Sequence, residues 1–129
     1  MSIHHVPNGF NSVTPFLTVE GADRLLTFIS RVFESREVLR ADRGDGTIAN
    51  ARVLVEGSMV EVSEASPEWP ALNAALHVFV RDVDTTYRKA MDAGATPLFE
   101  PTDMPWGARE AAVQDAHGIS WYLGTNKEA

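Results

Sequence analysis

Hydrophobic and polar residues change their spacing several times along the first half of the chain. Residues 13–19 (VTPFLTV) are rich in β-branched and aromatic side chains, as is typical of a strand. Within residues 21–34 apolar side chains recur every three or four positions, which predicts an amphipathic helix. These side chains are Leu25, Leu26, Ile29, Val32 and Phe33. Three strand-like runs follow at residues 36–42, 47–55 and 58–63, joined by glycine-containing turns.

The same order of elements returns after residues 64–73 (EASPEWPALN), whose two prolines disfavour a strand and predict a linker. Residues 75–83 predict a strand, and residues 84–94 predict a helix that ends at a glycine. Three more strands are predicted at residues 95–101, 109–115 and 119–124.

The two halves therefore repeat one unit, a strand and a helix followed by three strands. At a shift of 61 residues Val19 aligns with Val80, and Gly57 aligns with Gly118. One such unit leaves a bare sheet face that it cannot bury alone, so two units must pair. The sequence thus predicts an α+β fold of two βαβββ modules in one domain. The predicted boundaries are a tail at 1–12, modules at 13–63 and 75–124, a linker at 64–74 and a tail at 125–129.

Composition narrows the class of protein. The chain has 129 residues and 14.1 kDa, enough for one compact domain, and its net charge of −7 argues against nucleic acid as a partner. That acidity could favour a cationic ligand, but it is more often a matter of solubility. No apolar run approaches a bilayer span, so no membrane partner is expected. The chain has no cysteine and no signal-peptide pattern at its start, so a cytoplasmic location is expected.

Three segments carry a resemblance to a known family: VTPFLTVEGADRLLTFISRVF, LHVFVRDVDTTYRKAMDAGATPLFEP and WGAREAAVQDAHGISWYL. Together they resemble the vicinal oxygen chelate superfamily of glyoxalases, bleomycin-resistance proteins and extradiol dioxygenases, and most of all its PhnB-like branch. Ala116 departs from the proline that is common in the D-P-x-G turn. The resemblance implies a cupped mixed β-sheet with helices on its outer face, a pocket for a small molecule, and a homodimer.

The resemblance also implies where a metal would bind. Members with metal chemistry place one ligand near the start of the first strand and one on the last strand of each module. Those positions here are Thr14, Glu61, Ala75 and Tyr122. Only Glu61 is a good ligand, because Ala75 has no donor, Thr14 is a weak one and a phenol seldom loses its proton to such metals. No complete metal site is therefore expected.

His77 leaves three interpretations open. It shares a strand face with Ala75, so with Glu61 it could hold a divalent ion such as Zn, Ni, Mn or Fe in a weak site. It could be a half-buried strand residue with a hydrogen-bonded neighbour. The favoured interpretation makes Glu61 and His77 a catalytic or binding polar pair without metal, able to exchange a proton near neutral pH.

The aromatic segment 106–125 supplies further candidates. The resemblance implies that Tyr122 faces the pocket, and alternation along the last strand then points Trp121 into the core. Trp106 is either a lid over the pocket or a packing anchor. Arg109 could bind a carboxylate or phosphonate of the ligand, but a surface ion pair with Glu100 or Asp103 is the favoured alternative. Which face of strand 109–115 points inward is left open, and His117 is expected to be exposed and inert.

Three functions follow from these residues and the resemblance. The first is a protein that binds a small organic molecule, with Glu61, His77, Thr14, Tyr122, Trp106 and Arg109 as candidate contacts. The second is a glyoxalase-like lyase or isomerase, or a dioxygenase-like enzyme, that uses a divalent metal. The third is a protein that sequesters a bleomycin-type antibiotic. A homodimer is expected. Whether the chain catalyses a reaction and whether the two chains share the pocket are left open.

Overall fold

A computed structural model describes residues 5–127 and contains eight strands and two helices within that range. In chain order the elements are β1 (Phe16–Val19), α1 (Ala22–Val32), β2 (Ser35–Asp42), β3 (Ile48–Val55), β4 (Ser58–Glu64), β5 (Ala74–Phe79), α2 (Val83–Asp92), β6 (Thr96–Asp103), β7 (Ala108–Gln114) and β8 (Ile119–Asn126). The order confirms the predicted α+β fold of two βαβββ modules. Neither helix among these residues has the length and apolar character needed to cross a bilayer. Residues 1–4 and 128–129 of the two predicted tails lie outside the described range.

Each module forms its own four-stranded mixed sheet. The first sheet has the order β1-β4-β3-β2 and the second has the order β5-β8-β7-β6. In each sheet the first strand runs parallel to the last strand of the module, and the other pairs are antiparallel. The helix that follows the first strand provides the crossover that a parallel pair requires.

The repeat is visible in the positions of the elements. Helices α1 and α2 begin at residues 22 and 83, β2 and β6 at 35 and 96, and β4 and β8 at 58 and 119, which is the predicted shift of 61 residues each time. The β3–β4 and β7–β8 hairpins differ by one residue. Val53 pairs with Val60, whereas Val113 pairs with Trp121, so β7 follows β3 at a shift of 60.

One hydrophobic core joins the two modules. Each helix packs on one face of its own sheet and the two helices contact each other. Alternate residues of the last strands enter this core, namely Val60 and Val62 from β4 and Trp121 and Leu123 from β8. The Trp121 ring lies 5.1 Å from Phe33 and 6.4 Å from Phe28 of the first module. The prediction that Trp121 belongs to the core is therefore confirmed.

The last strand of each module also caps the helix of that module. The carboxylate of Glu64, at the end of β4, accepts hydrogen bonds from the backbone N–H groups of Gly21 and Ala22 at 2.9 to 3.2 Å. At the equivalent place in β8, the hydroxyl of Thr125 accepts one from Val83 N–H at 3.0 Å. These side chains satisfy donors that a helix N-terminus cannot satisfy within the helix.

The strand predicted at 75–83 is too long at its C-terminal end. It stops at Phe79, and Asp82 instead accepts hydrogen bonds from the N–H groups of Asp84 and Thr85, which makes it the N-cap of α2. An aspartate before an apolar-periodic segment is a helix start signal, and here it prevails over the apolar run VFV. The first predicted strand is also shorter, because β1 begins at Phe16 and not at residue 13.

The β7–β8 turn is held by one buried carboxylate. Asp115 is 6% exposed and accepts hydrogen bonds from Trp121 Nε1 at 2.8 Å and from the backbone N–H groups of His117 and Ile119 at 2.8 and 3.0 Å. We expect Asp115→Ala to lower the free energy of unfolding by about 3 kcal/mol, because it leaves buried N–H donors without an acceptor. Urea denaturation measures the change.

The matched control is Asp45→Ala in the exposed turn before β3. Asp45 accepts from the backbone N–H and the hydroxyl of Thr47 at 3.0 and 2.7 Å, so the same truncation breaks local hydrogen bonds that water can replace. We expect a loss below about 1 kcal/mol there. Equal losses at the two positions would contradict the role assigned to Asp115.

Candidate functional site

Side-chain alternation gives each sheet a second face that no helix covers. We use the term outer face for such a helix-free face, which is opposite to the helix-covered side of the expected cup. The first outer face carries Glu61 of β4, and the second outer face carries His77 of β5 and Tyr122 of β8. The residues on either side of Glu61 and Tyr122 are buried in the core. Glu61 and Tyr122 therefore point away from the helices, as the period of two along a strand requires.

The first outer face has a cavity of about 430 Å³ beneath the segment that precedes β1. Thr14 and Glu61 both line it, so two of the candidate residues come together there. Glu61 accepts a hydrogen bond from Asn50 Nδ2 at 3.2 Å through Oε1. The same oxygen lies 3.9 Å from Arg52 Nε, and Arg52 stands directly opposite Glu61 in the β3–β4 register.

These surroundings do not suit a divalent metal within one chain. Glu61 is the only strong ligand type among the four positions that the resemblance implies, and a guanidinium beside it would repel a second cation. Across residues 5–127 no group of three or more His, Asp or Glu side chains is placed to hold an ion. We therefore derive no chemical step through a metal.

The second outer face carries a groove of about 900 Å³. Its lining includes the aromatic residues His77, Phe79 and Trp106 and the charged residues Glu56, Arg81 and Glu110. The rings of His77 and Phe79 stack with their centroids 4.5 Å apart and an interplanar angle of 23°. Tyr122 lies on the neighbouring strand, with its ring centroid 6.5 Å from that of His77. Phe79 is 59% exposed and Tyr122 is 40% exposed, so a guest molecule can reach both rings.

Gly124 lies beneath the stacked pair. A β-carbon at this position would lie 2.9 Å from His77 Nε2 and 3.3 Å from the Phe79 ring. Real β-carbons essentially never come as close as the first of these distances. The absence of a side chain at residue 124 therefore fixes how deeply His77 and Phe79 sit against the sheet.

Glu110 of β7 is a groove residue that the sequence did not identify. Its Oε2 accepts a hydrogen bond from Trp106 Nε1 at 3.1 Å and lies 3.9 Å from His77 Nε2. Only 12% of its side chain is exposed. The register of the β7–β8 hairpin would have identified Glu110. Ala112 pairs with Tyr122, and Glu110 shares a strand face with Ala112, so both lie on the same face as Tyr122.

Trp106 also lines the groove, and 62% of it is exposed. It precedes β7 in the turn after β6, and Glu110 is the residue that holds its indole N–H. The contact between the Trp106 indole and Glu110 attaches the indole to the wall of the groove. This position is compatible with both interpretations of Trp106, a lid and a packing anchor.

Arg109 does not line the groove. It shares a strand face with the core residues Ala111 and Val113, and its guanidinium donates to both carboxylate oxygens of Asp84 at 2.9 and 3.0 Å. A third bond runs to Asp103 at 3.2 Å. Asp103 was one of the predicted ion-pair partners, whereas Asp84 in the first turn of α2 was missed. The hydrogen bonds from Arg109 lower the pKa of Asp84 below its ordinary value of 3.8.

Two other sequence expectations are resolved by position. Glu61 and His77 line different cavities of one chain, so a single chain does not bring the proposed polar pair together. His117 is half-buried, and its Nδ1 lies 2.9 Å from the carbonyl oxygen of Glu20, so it is less exposed than expected. The turn in which it lies folds back onto the loop before α1.

The ion pair of Arg109 with Asp84 predicts a pH-dependent contribution to stability. A carboxyl whose pKa is lowered by folding stabilises the folded state above its unfolded pKa, and this contribution is lost as the pH falls through the folded value. We therefore expect Asp84→Asn to lower the urea midpoint at pH 7 and to match the wild type more closely at pH 3. The same substitution in an Arg109→Gln background should have little effect. A deficit that does not change with pH would contradict the pairing.

Comparison with known proteins places these features in a family. The model of the Glyoxalase/Bleomycin resistance protein/Dioxygenase superfamily matches residues 2–123. The structure of TioX from Micromonospora sp. ML1 is 27% identical, with a TM-score of 0.70 over 89% of this chain and 99% of that one. The PhnB protein from Bacillus cereus is 20% identical, with a TM-score of 0.73 and coverages of 89% and 99%.

TnmS3, an antibiotic binding protein from Streptomyces sp. CB03234, is 18% identical, with a TM-score of 0.67 over 90% of this chain and 97% of that one. At such identities the likeness to PhnB and TnmS3 concerns the fold. The match of the family model spans both modules and nearly the whole length of the chain. The chain belongs to the Glyoxalase/Bleomycin resistance protein/Dioxygenase superfamily.

Proposed function

We propose that this protein binds a planar aromatic organic molecule in the groove of its second outer face, without a complete metal site. The observation that carries the proposal is the set of exposed rings that line the groove beside the Glu110 carboxylate, those of His77, Phe79 and Trp106. Tyr122 on the neighbouring strand lies next to this set, with its ring centroid 6.5 Å from that of His77. Two further sequence candidates, Thr14 and Glu61, lie on the other outer face. Arg109 has no part in binding, because two aspartates occupy its guanidinium.

The groove is arranged before a ligand arrives. His77 is stacked on Phe79 and rests against Gly124, while the indole of Trp106 is held by Glu110. Aromatic pairs contribute about 0.5 to 1.5 kcal/mol each beyond the apolar area they bury. Rings that already lie in position lose little conformational freedom on binding, so more of this energy remains as affinity.

Glu110 determines which ligands bind well. Its Oε2 already accepts from Trp106, and a carboxylate can accept several hydrogen bonds through its two oxygens. A ligand that carries a phenol or an amine next to its aromatic rings can supply a further donor. A ligand without such a donor would bury Glu110 with unmet hydrogen-bonding capacity, which costs about 1 to 3 kcal/mol.

A homodimer would complete the pocket. Each chain exposes a cavity with Thr14 and Glu61 on one face and the aromatic groove on another, and large apolar side chains remain exposed on both, including Phe16 and Phe79. A symmetric pair can place Glu61 of one subunit opposite the partner's His77. The polar pair suggested by the sequence then forms between chains.

We also assign the chain to the PhnB-like branch, on its VRDVD, AGAT and D-x-x-G segments.

Antibiotic sequestration is the biological use that we consider second. TnmS3 is an antibiotic binding protein with this fold, and an open groove of about 900 Å³ suits a drug-sized aromatic compound. The net charge of −7 would also attract a cationic drug. Bleomycin, a large cationic glycopeptide, is the test ligand for this use.

Tryptophan fluorescence tests the groove directly. We expect daunorubicin, a planar compound with phenols and an amine, to quench the fluorescence at micromolar concentration. Trp106→Ala should weaken its binding by about tenfold, because a stacking ring is lost. Trp69→Ala is the matched control, since Trp69 is 71% exposed in the linker and does not line the groove. Its affinity should equal that of the wild type.

Gly124→Ala provides an independent variant of the same groove. The added methyl displaces His77 and Phe79 without removing any ring, so we expect weaker binding with an unchanged far-UV spectrum. If the Trp106 and Gly124 variants bind daunorubicin like the wild type, the groove is not the binding site. If daunorubicin quenches the fluorescence and bleomycin does not, sequestration of bleomycin-type antibiotics is contradicted and only planar drugs remain as antibiotic ligands.

Complementation tests the shared pocket. We expect light scattering to give a mass about twice the 14.1 kDa of one chain. Glu61→Ala and His77→Ala should each weaken binding when assayed alone. When equal amounts of the two variants are mixed and exchange subunits freely, half of the dimers contain one chain of each variant. Each of these mixed dimers holds one intact site out of two, so the mixture should regain about a quarter of the wild-type sites. A monomer that binds ligand fully would contradict the shared pocket.

A further inference from the structure

We infer that Arg52 forms an oxyanion site in the cavity of the first outer face, suited to a small carboxylate or phosphate group. This inference rests on the first module alone and goes beyond the aromatic groove. Arg52 lies in the middle of β3 between the core residues Ala51 and Val53, so alternation directs its side chain to the outer face. It lines the cavity together with Thr14 and Glu61.

The Nε–H of Arg52 is buried and has no hydrogen-bond partner. Among the side-chain nitrogen and oxygen atoms of residues 5–127 that are buried in this way, it alone lacks one. The nearest carboxylate oxygen, Oε1 of Glu61, lies 3.9 Å away, beyond hydrogen-bonding distance, and accepts from Asn50 instead. Because Nε has no accessible surface, a ligand oxygen in the cavity can contact only the part of the guanidinium that remains exposed. The missing hydrogen bond at Nε shows that the neighbouring Glu61 does not occupy the guanidinium fork.

The guanidinium is positioned for such a group. Its central carbon lies 5.1 Å from the centre of the Phe10 ring, a cation–π contact that holds the guanidinium plane in place. Side-chain exposure of 39% leaves part of the group open to the cavity. A planar fork held on an aromatic platform matches the two oxygens of a carboxylate or phosphate.

Glu61 does not prevent a second anion from binding. Arg109 of this same chain holds two carboxylates at once, Asp84 through Nε and Nη2 and Asp103 through Nη1. A guanidinium carries five donors in a fixed fork, so one carboxylate uses only part of its capacity. Arg52 has Glu61 near it at 3.9 Å, which is too far for a hydrogen bond, so this carboxylate does not use the donors of the fork. The hydroxyl of Thr14 on the cavity wall offers a further donor to the same group.

Nuclear magnetic resonance of the arginine Nε–H groups tests this site in the full-length protein. Benzoate, inorganic phosphate and the neutral analogue benzamide are titrated separately. We expect benzoate to shift the Arg52 Nε–H signal and benzamide to leave it in place. A shift with phosphate as well assigns the site to oxyanions in general, whereas a shift with benzoate alone restricts it to carboxylates. No shift with either anion overturns the inference.

Three variants separate the possible explanations. Arg52→Gln should weaken benzoate binding by at least about tenfold, because charge-assisted hydrogen bonds are lost. Arg52→Lys keeps the charge but not the fork, so affinity close to that of the wild type would contradict a site built on the planar guanidinium. Arg36→Gln on the exposed strand β2 is the control for net charge and should bind like the wild type.

The groove variant Trp106→Ala separates this inference from the proposed function. It should leave the benzoate shift at Arg52 unchanged. A benzoate shift in a protein that does not bind daunorubicin would support the oxyanion site and contradict the aromatic groove. Daunorubicin binding without a benzoate shift would support the groove and contradict the oxyanion site. Thermal denaturation checks that each variant is folded.

Discussion

The alternation of side chains along β4 and β8 is the constraint on which the rest of the structure depends. Each strand sends one set of residues into the common core, Val60 and Val62 or Trp121 and Leu123, and sends the residues between them to an outer face. Because the period is two, the burial of these four residues fixes the outward direction of Glu61 and Tyr122. The same strands end in Glu64 and Thr125, which cap the two helices, so the core, the helix starts and the outer faces are set together.

The two outer faces are chemically different although the modules are duplicates. On the first face a guanidinium and a carboxylate stand opposite each other in the β3–β4 register. At the equivalent place on the second face the pair is Ala112 and Tyr122, beside the stacked rings of His77 and Phe79. One face therefore offers charged hydrogen-bond donors and the other offers π surfaces with one carboxylate. The two modules share one scaffold, and the side chains that decide chemistry differ between them.

Much of the fold could be predicted because the helices and strands follow from the local spacing of apolar residues and from turn residues. The repeat of one element order in the two halves of the chain further predicted that two modules pair. Thr14, Glu61, His77, Tyr122 and Trp106 could be named as candidates, since strand alternation or the resemblance implies their positions, and their roles stay predictions. Glu110, Arg52 and Asp115 were missed. Their roles depend on hairpin register and on contacts with Trp106, Phe10 and Trp121, which no local pattern encodes. The one-residue difference between the β3–β4 and β7–β8 hairpins also hid which face of β7 points inward, and so left Arg109 as a candidate.

The central claim is that a planar guest binds against the rings of the second outer face. The indole N–H signals of the three tryptophans report on it from three separate places, the groove for Trp106, the exposed linker for Trp69 and the core for Trp121. Titration of the ¹⁵N-labelled protein with a planar aromatic compound measures all three signals in one experiment. We expect the Trp106 signal to shift in a saturable manner while those of Trp69 and Trp121 stay in place. A saturable shift of Trp69 without Trp106, or no shift of any of the three, would contradict the account.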